Sequence, residues 1–240
     1  MTLEKRRSEI LNKIIKEYIV HAEPISSDYL KRKCRIDLSS ATLRSEMLKL
    51  TEEGYLCQPH TSAGRVPTDK GYRYFVDSLV QKEIGGLIDE KIKEEVKGIK
   101  KEVKDYLAYL KEVNRFLASF SSGFSVSYLV EEKLCLREGL GKTFENPEFS
   151  DVEYARNFLS MIELFEENIN KFNFVNSSIN VYIGSEIPIR KFSDFGIVVS
   201  KCVLFEDKEA FIAIVGPKRM DYNKNIPLIN SIVKILKEQT

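Results

Sequence analysis

Little in this chain of 240 residues suggests metal or disulfide chemistry: it has two histidines, His21 and His60, and four scattered cysteines, Cys34, Cys57, Cys135 and Cys202. A structural zinc site needs clustered Cys and His ligands; only Cys57 and His60 lie close in sequence, and no second pair accompanies them. Ordinary thiols and no cofactor are therefore expected. No apolar run approaches the roughly 20 residues that span a bilayer. The Met1–Arg7 stretch lacks the apolar core of a secretory signal, so a reducing cytoplasm is the expected compartment. Internal repeats and low-complexity tracts are absent as well. Net charge is almost missing: 37 Lys+Arg against 36 Asp+Glu leave +1. A partner rich in phosphate would have to be held by locally clustered cations. Residues 1–77 carry 14 Lys+Arg and 11 Asp+Glu, a weak positive bias that the remainder reverses.

What is present is an ordinary globular composition, 43% hydrophobic and 30% charged. Ile10, Leu11, Ile14, Ile15, Tyr18 and Ile19 recur at helical spacing and predict a first helix ending before Pro24. Ser26 or Ser27 can cap a second, which would bury Tyr29 and Leu30. Ser39 and Ser40 stand before a third, Ala41 to Glu53, with Leu43, Met47 and Leu50 inward and Gly54 at its end. A short strand at Tyr55–Gln58, small residues at His60–Gly64 and a return at Arg65–Pro67 predict a two-stranded ribbon. Thr68 can then cap a fourth helix carrying Tyr72, Phe75 and Leu79. Three helices followed by a ribbon is the element order of a winged helix-turn-helix.

A helix that enters the major groove buries one stripe and offers short polar or basic side chains on another. The third helix has that pattern. Ser39 and Ser40 open it, and Ala41, Thr42, Arg44, Ser45 and Lys49 fall on its free side. Arg44 suits bidentate contact with a guanine edge; the bland alternative for Arg44 and Lys49 is solvated surface charge. On the ribbon, His60, Thr61 and Ser62 can donate to phosphate oxygens. Arg65 follows Gly64 at what reads as the tip, from which it reaches either a minor groove or solvent. Lys31, Arg32, Lys33 and Arg35 form a basic cluster at the end of the second helix.

Several of these stretches resemble the HrcA family of heat-inducible repressors. They are Ser39-Ser40-Ala41-Thr42-Leu43-Arg44, Glu53-Gly54-Tyr55-Leu56, and the nearly unbroken run from Gln58 through Gly64-Arg65-Val66-Pro67-Thr68 to Arg73. Later blocks agree: Glu138-Gly139-Leu140, Asn146–Asp151, Tyr182–Glu186 and Gly216–Tyr222. The resemblance implies a repressor of chaperone operons that binds double-stranded DNA at an inverted repeat as a homodimer. It also implies that the GroEL chaperonin promotes the active form. The fold it implies is a winged helix, a GAF-like α/β domain and an inserted dimerising domain. Two departures stand out. Between about Tyr128 and Glu138 the chain is far shorter than the usual member, so much of the insert and part of the GAF-like sheet are expected to be missing. Ser45 stands where the family commonly has Asn.

A different route to a dimer is legible in the middle of the chain. Ile92, Val96, Ile99, Val103, Tyr106, Leu110, Val113, Leu117 and Phe120 alternate in steps of four and three, a heptad seam flanked by Lys and Glu. Two such helices can pair, or one can lie on its own sheet. Strands are predicted at Ile179–Gly184, Phe195–Leu204 and Ala210–Val215, with helices near Asp151–Asn170 and Asn225–Glu238 covering one face. Arg190, Lys191, Lys218 and Arg219 form either an anion site or a plain surface.

The expected class is therefore α+β. A winged helix-turn-helix DNA-binding domain occupies 1–80 and an amphipathic linker and dimerisation helix 81–122. A GAF-like α/β domain with a truncated insert occupies 123–240. An enzyme is disfavoured, because the C-terminal region holds no histidine, phosphate loop or nucleophile motif. A regulator controlled by a ligand of the GAF-like domain remains the alternative.

Overall fold

A computed structural model describes residues 3–34, 36–83, 90–102, 105–121, 123–172, 179–189, 192–204 and 208–237. It separates into two compact units, Met1–Ser78 and Leu79–Thr240.

In the first unit, α1 (Lys5–His21) buries Ile10, Leu11, Ile14, Ile15 and Ile19. It stops at Ala22, which adopts the left-handed conformation two residues before Pro24. The Ser26 hydroxyl accepts the Tyr29 N–H and caps α2 (Ser27–Lys33). Ser39 caps α3 (Ser40–Glu52) in the same way, its Oγ accepting the Thr42 N–H at 3.0 Å. Leu43, Met47 and Leu50 are buried, as their spacing predicts. Gly54, at φ 79°, turns the chain out of α3 in a conformation that an L side chain resists. Strands β1 (Leu56–Cys57) and β2 (Val66–Pro67) pair antiparallel. The Thr68 hydroxyl accepts the Gly71 N–H at the start of α4 (Asp69–Glu83), whose Tyr72, Phe75 and Val76 complete the core.

The second unit is built on a five-stranded antiparallel sheet in the order β4-β3-β7-β6-β5. The strands are β3 (Phe124–Leu129), β4 (Leu134–Glu138), β5 (Ile179–Ile183), β6 (Phe195–Val203) and β7 (Glu209–Pro217). The predicted single linker helix is instead two, α5 (Glu90–Glu102) and α6 (Tyr106–Ser121). The physical reason is a cap: the Asp105 carboxylate accepts the Ala108 N–H at 2.8 Å and starts a new helix inside the heptad run. After the sheet's first hairpin come the short α7 (Leu140–Thr143) and then α8 (Val152–Asn168); α9 (Tyr222–Lys237) ends the unit.

Alternation along β3 sorts the two faces. Phe124 and Val126 join Phe158, Met161, Ile162 and Phe165 of α8 in an aromatic core with Phe195, Ile197 and Val215. Ser125 and Ser127 point the other way, where both hydroxyls donate to Oδ1 of the fully buried Asn114 of α6 at 2.8 Å. α9 packs with α5 and α6 and covers β6 on that side. The two helices expected to share one face of the sheet thus lie on opposite faces. Between Tyr128 and Glu138, where much of the insert and part of the GAF-like sheet are expected to be missing, the chain closes in a paired hairpin with Leu129 opposite Leu134. At its turn Glu132 accepts from Lys208 and from the Tyr106 hydroxyl, and the Lys208 hydrogen bond holds the Glu132 carboxyl below its usual range.

Candidate nucleic-acid interface

The first unit assembles the sequence-predicted contact residues around α3. With Leu43, Met47 and Leu50 spent on the core, the exposed side of the helix carries Ala41, Arg44, Ser45, Leu48 and Lys49. Ser40 and Thr42 are half-buried beside the cap, where the Thr42 and Ser39 hydroxyls lie 2.9 Å apart. The Arg44 guanidinium is exposed and takes no intramolecular hydrogen bond or ion pair among the described residues. Lys49 differs: its Nζ lies 3.6 Å from Oε1 of Glu46, so part of its charge is answered locally.

Glu46 is the feature that sequence reasoning passed over. A carboxylate on the buried stripe of α3 demands a cation, and Arg7 of α1 supplies it, bridging Glu46 of α3, Glu53 at the end of that helix, and Glu4. These carboxylates raise the Arg7 guanidinium above its ordinary value, led by the hydrogen bond that Arg7 donates to Glu4. The clasp ties α3 to α1 and so sets the attitude of its free face. Its signal was the charge at position 46 between Leu43 and Leu50; its partner lies too far along the chain to be inferred from spacing.

The ribbon corrects one assignment. Arg65 is not at the tip but in the returning strand, where its N–H and C=O pair with the C=O and N–H of Ile25 at 2.8 and 2.9 Å. Its side chain turns back toward the end of α3, and Nε donates to the Thr51 hydroxyl at 3.1 Å. The tip is Pro59–Ala63, with His60, Thr61 and Ser62 exposed. Gln58 latches it by donating from Nε2 to the carbonyls of Thr61 and Ala63 at 2.9 and 3.0 Å. A cleft of about 320 Å³ separates this tip from α3, with Arg44 and Arg65 both on its wall beside Ser26, Gln58, Thr61 and Ser62. The α2 cations Lys31, Arg32 and Lys33 are exposed nearby in sequence, whereas Arg35 lies outside the described residues.

The three-stranded junction depends on one missing side chain. A Cβ at Gly64 would come within 2.5 Å of the Ile25 carbonyl and 2.7 Å of Pro24 O. Both are backbone atoms, so the ribbon itself must shift. Gly64→Ala is expected to cost about 1–3 kcal/mol, as overpacking does, and to lower the melting temperature of the first unit, read by calorimetry. An unchanged melt would show that the ribbon is not held by Ile25.

The residues predicted to pair two chains are placed inside one. Ile92 and Val96 are buried in α5, and Leu110, Val113 and Leu117 are fully buried in α6 against the sheet and α9. Ile99 is half-buried, Tyr106 is engaged by Glu132 and Lys208, and Val103 lies outside the described residues. Phe120, at the end of the seam, is 42% exposed, but the rest of the described seam is covered by its own subunit, because Asp105 breaks the helix and α5 packs against α6 and α9. The proposed anion cluster is also reduced. Arg219 is forked onto the Glu148 carboxylate and reaches Asn146 Oδ1 at 3.4 Å, while Arg190 and Lys191 lie outside the described residues. Burial pushes the Cys202 thiol up to about 12 and raises that of Cys34. No group of three or more His, Cys, Asp or Glu among the described residues is placed to hold a metal. Nor is any helix among them long and apolar enough to cross a membrane.

Comparison with known proteins gives a consistent picture. The family described as HrcA protein C terminal domain matches residues 70–226. The heat-inducible transcription repressor HrcA of Carboxydothermus hydrogenoformans is 25% identical over 334 aligned positions that cover 98% of this chain and 98% of the relative. That of Thermoanaerobacter pseudethanolicus is 28% identical over 335 positions, covering 98% and 96%. Both alignments are far longer than 240 residues, so much of each relative's length has no counterpart in this chain. A crystal structure of a hypothetical protein shares the fold at a TM-score of 0.81, with 20% identity and coverage of 99% of this chain and 98% of that one.

Proposed function

The chain belongs to the HrcA family of heat-inducible transcription repressors, and on that premise we propose that α3 and the ribbon read an inverted-repeat operator as part of a homodimer. The family is one of transcription regulators and not of enzymes. The observation that carries the reading is the unspent Arg44 guanidinium on the free face of α3, across a cleft from a polar ribbon tip. Its planar fork matches the O6 and N7 acceptors of guanine in the major groove. Ser39, Ser40, Ala41, Thr42 and Ser45 are small enough for close approach at the start of the helix, where unpaired N–H groups favour phosphate. His60, Thr61 and Ser62 stand to donate to the backbone from the ribbon. Lys49 and Arg65 add positive potential, and in this reading they position the unit on the duplex without specifying a base.

The second unit is read as a GAF-like domain in which a hairpin stands where the relatives carry more chain. In this reading it joins two subunits, and the GroEL chaperonin promotes the DNA-binding form of a repressor of chaperone operons.

The test is a binding isotherm on a duplex selected by the full-length chain from a random library. A dimer making about six phosphate contacts is expected to lose on the order of a thousandfold in affinity between roughly 50 and 200 mM salt, by release of counterions. A half-site duplex should bind far more weakly than the full repeat. Selection that enriches no sequence, or equal affinity for half and full sites, would overturn the reading.

A further inference from the structure

If two chains meet on an inverted repeat, the contact must come from a face other than the α5–α6 seam, which is buried in its own subunit. Five large hydrophobic side chains are exposed among the described residues of the second unit: Phe120 lies on α6, Leu134 on β4, and the other three on α7 and α8. Leu140 of α7 is 37% exposed, and Val152 and Leu159 of α8 are 70% and 42% exposed. Beside Leu159 runs a groove of about 520 Å³ walled by Phe124, Leu140, Ile162 and Glu163, with Arg137 and Glu138 lining it as well.

The charges along the outward side of α8 are self-complementary. The outward side of α8 presents Val152, Arg156, Leu159 and Glu163 in sequence, at steps of four, three and four. Arg156 and Glu163 are exposed, and neither makes an ion pair or hydrogen bond among the described residues. A second α8 laid antiparallel, with the two-fold axis between Leu159 and Ser160, brings Arg156 of each copy opposite Glu163 of the other. Leu159 then sits at the centre, over the second copy's groove. A parallel arrangement would set Arg156 against Arg156 and Glu163 against Glu163, so the charge order selects the antiparallel one. An interface of this kind is isologous, as a two-fold dimer requires.

We propose that the exposed face of α8, with the adjoining Leu140 groove, is the surface through which two copies of this chain pair, antiparallel and about Leu159. This rests on the homodimer part of the functional reading and assigns its location. A single α8 pair, about 25 Å long from its 17 residues, gives a small contact. The free chain therefore associates weakly, and two half-sites on one duplex complete the pairing by raising effective concentration.

The experiment is sedimentation equilibrium on the full-length chain, with circular dichroism to check folding. R156E and E163R each set like charges opposite each other twice, and each is expected to weaken self-association roughly tenfold. The double variant R156E/E163R restores the pairing with its sign reversed and should recover the wild-type constant within about threefold. Leu159→Asp should abolish association without loss of secondary structure. A wild-type dimer that none of the four variants alters would overturn the proposed face and leave the dimer itself standing. A wild-type chain that stays monomeric both free and on the selected duplex would remove the dimer reading, and this proposal with it.

Discussion

Replacing Arg44 with Ala is expected to lower affinity for the selected duplex by about 1–3 kcal/mol, roughly five- to 150-fold, while binding to unrelated duplex at the same salt changes little. The argument is geometric. Arg44 stands on the exposed side of α3, one turn beyond the Ser39 cap, and its donors are not engaged within the chain among the described residues. Nothing in the fold holds the side chain back, and nothing in the fold is lost when it is removed. R44K separates charge from shape: it keeps the positive charge but not the planar fork, so it should retain phosphate attraction and lose discrimination at one base pair. Lys49→Ala should behave otherwise. Glu46 is flanked by Lys49 and by Arg7, so removing Lys49 weakens binding evenly across sequences and relaxes no base preference. The measurement is a base-pair substitution scan of the selected duplex with each variant. If R44A leaves the penalty intact at every position, Arg44 does not read a base.

The largest stability effect is expected at Phe158. This ring is fully buried and meets Phe149, Phe195, Phe124 and Phe144 at centroid distances of 5.0, 5.4, 5.9 and 6.3 Å. These neighbours come from both sheet and loops, so they cannot collapse into the space that Phe158→Ala leaves. The cost is about 3–5 kcal/mol, or roughly 10 °C in the melting temperature of a unit this size. The next residue provides the control: Leu159 is 42% exposed, and Leu159→Ala should leave the melt within about 2 °C. Calorimetry on both variants decides it. Equal effects would mean that α8 lies on the sheet by a different face.

How far the sequence carried each of these sites depends on how local its determinants were. The cap at Ser39, the buried stripe Leu43, Met47 and Leu50, the turn at Gly54 and the cap at Thr68 were all readable, because each is settled within one turn of its own residue. The β3–β4 hairpin was not. Ser125 and Ser127 disguise a buried strand as a half-polar one, and the Asn114 carboxamide that satisfies them sits on another helix. The heptad run from Ile92 to Leu117 was correct as a pattern of burial and wrong as a single helix, because a seam records which residues seek cover and not what covers them. Arg65 illustrates the same limit on a small scale. Gly64 marks a tight approach in the sequence, but only the pairing with Ile25 and the bond to Thr51 reveal that the Arg65 side chain turns back toward the end of α3.

In the first unit, helix starts, helix ends and inward stripes were thus determined by the sequence alone, since caps and periodicity act over a few residues where the chain's own geometry is the only constraint. The direction of Arg65, the clasp of Arg7 on Glu46 and the burial of the heptad seam were decided by the tertiary structure. Each depends on a partner brought in from a distant part of the chain, and partnership at that range is set by packing the whole unit.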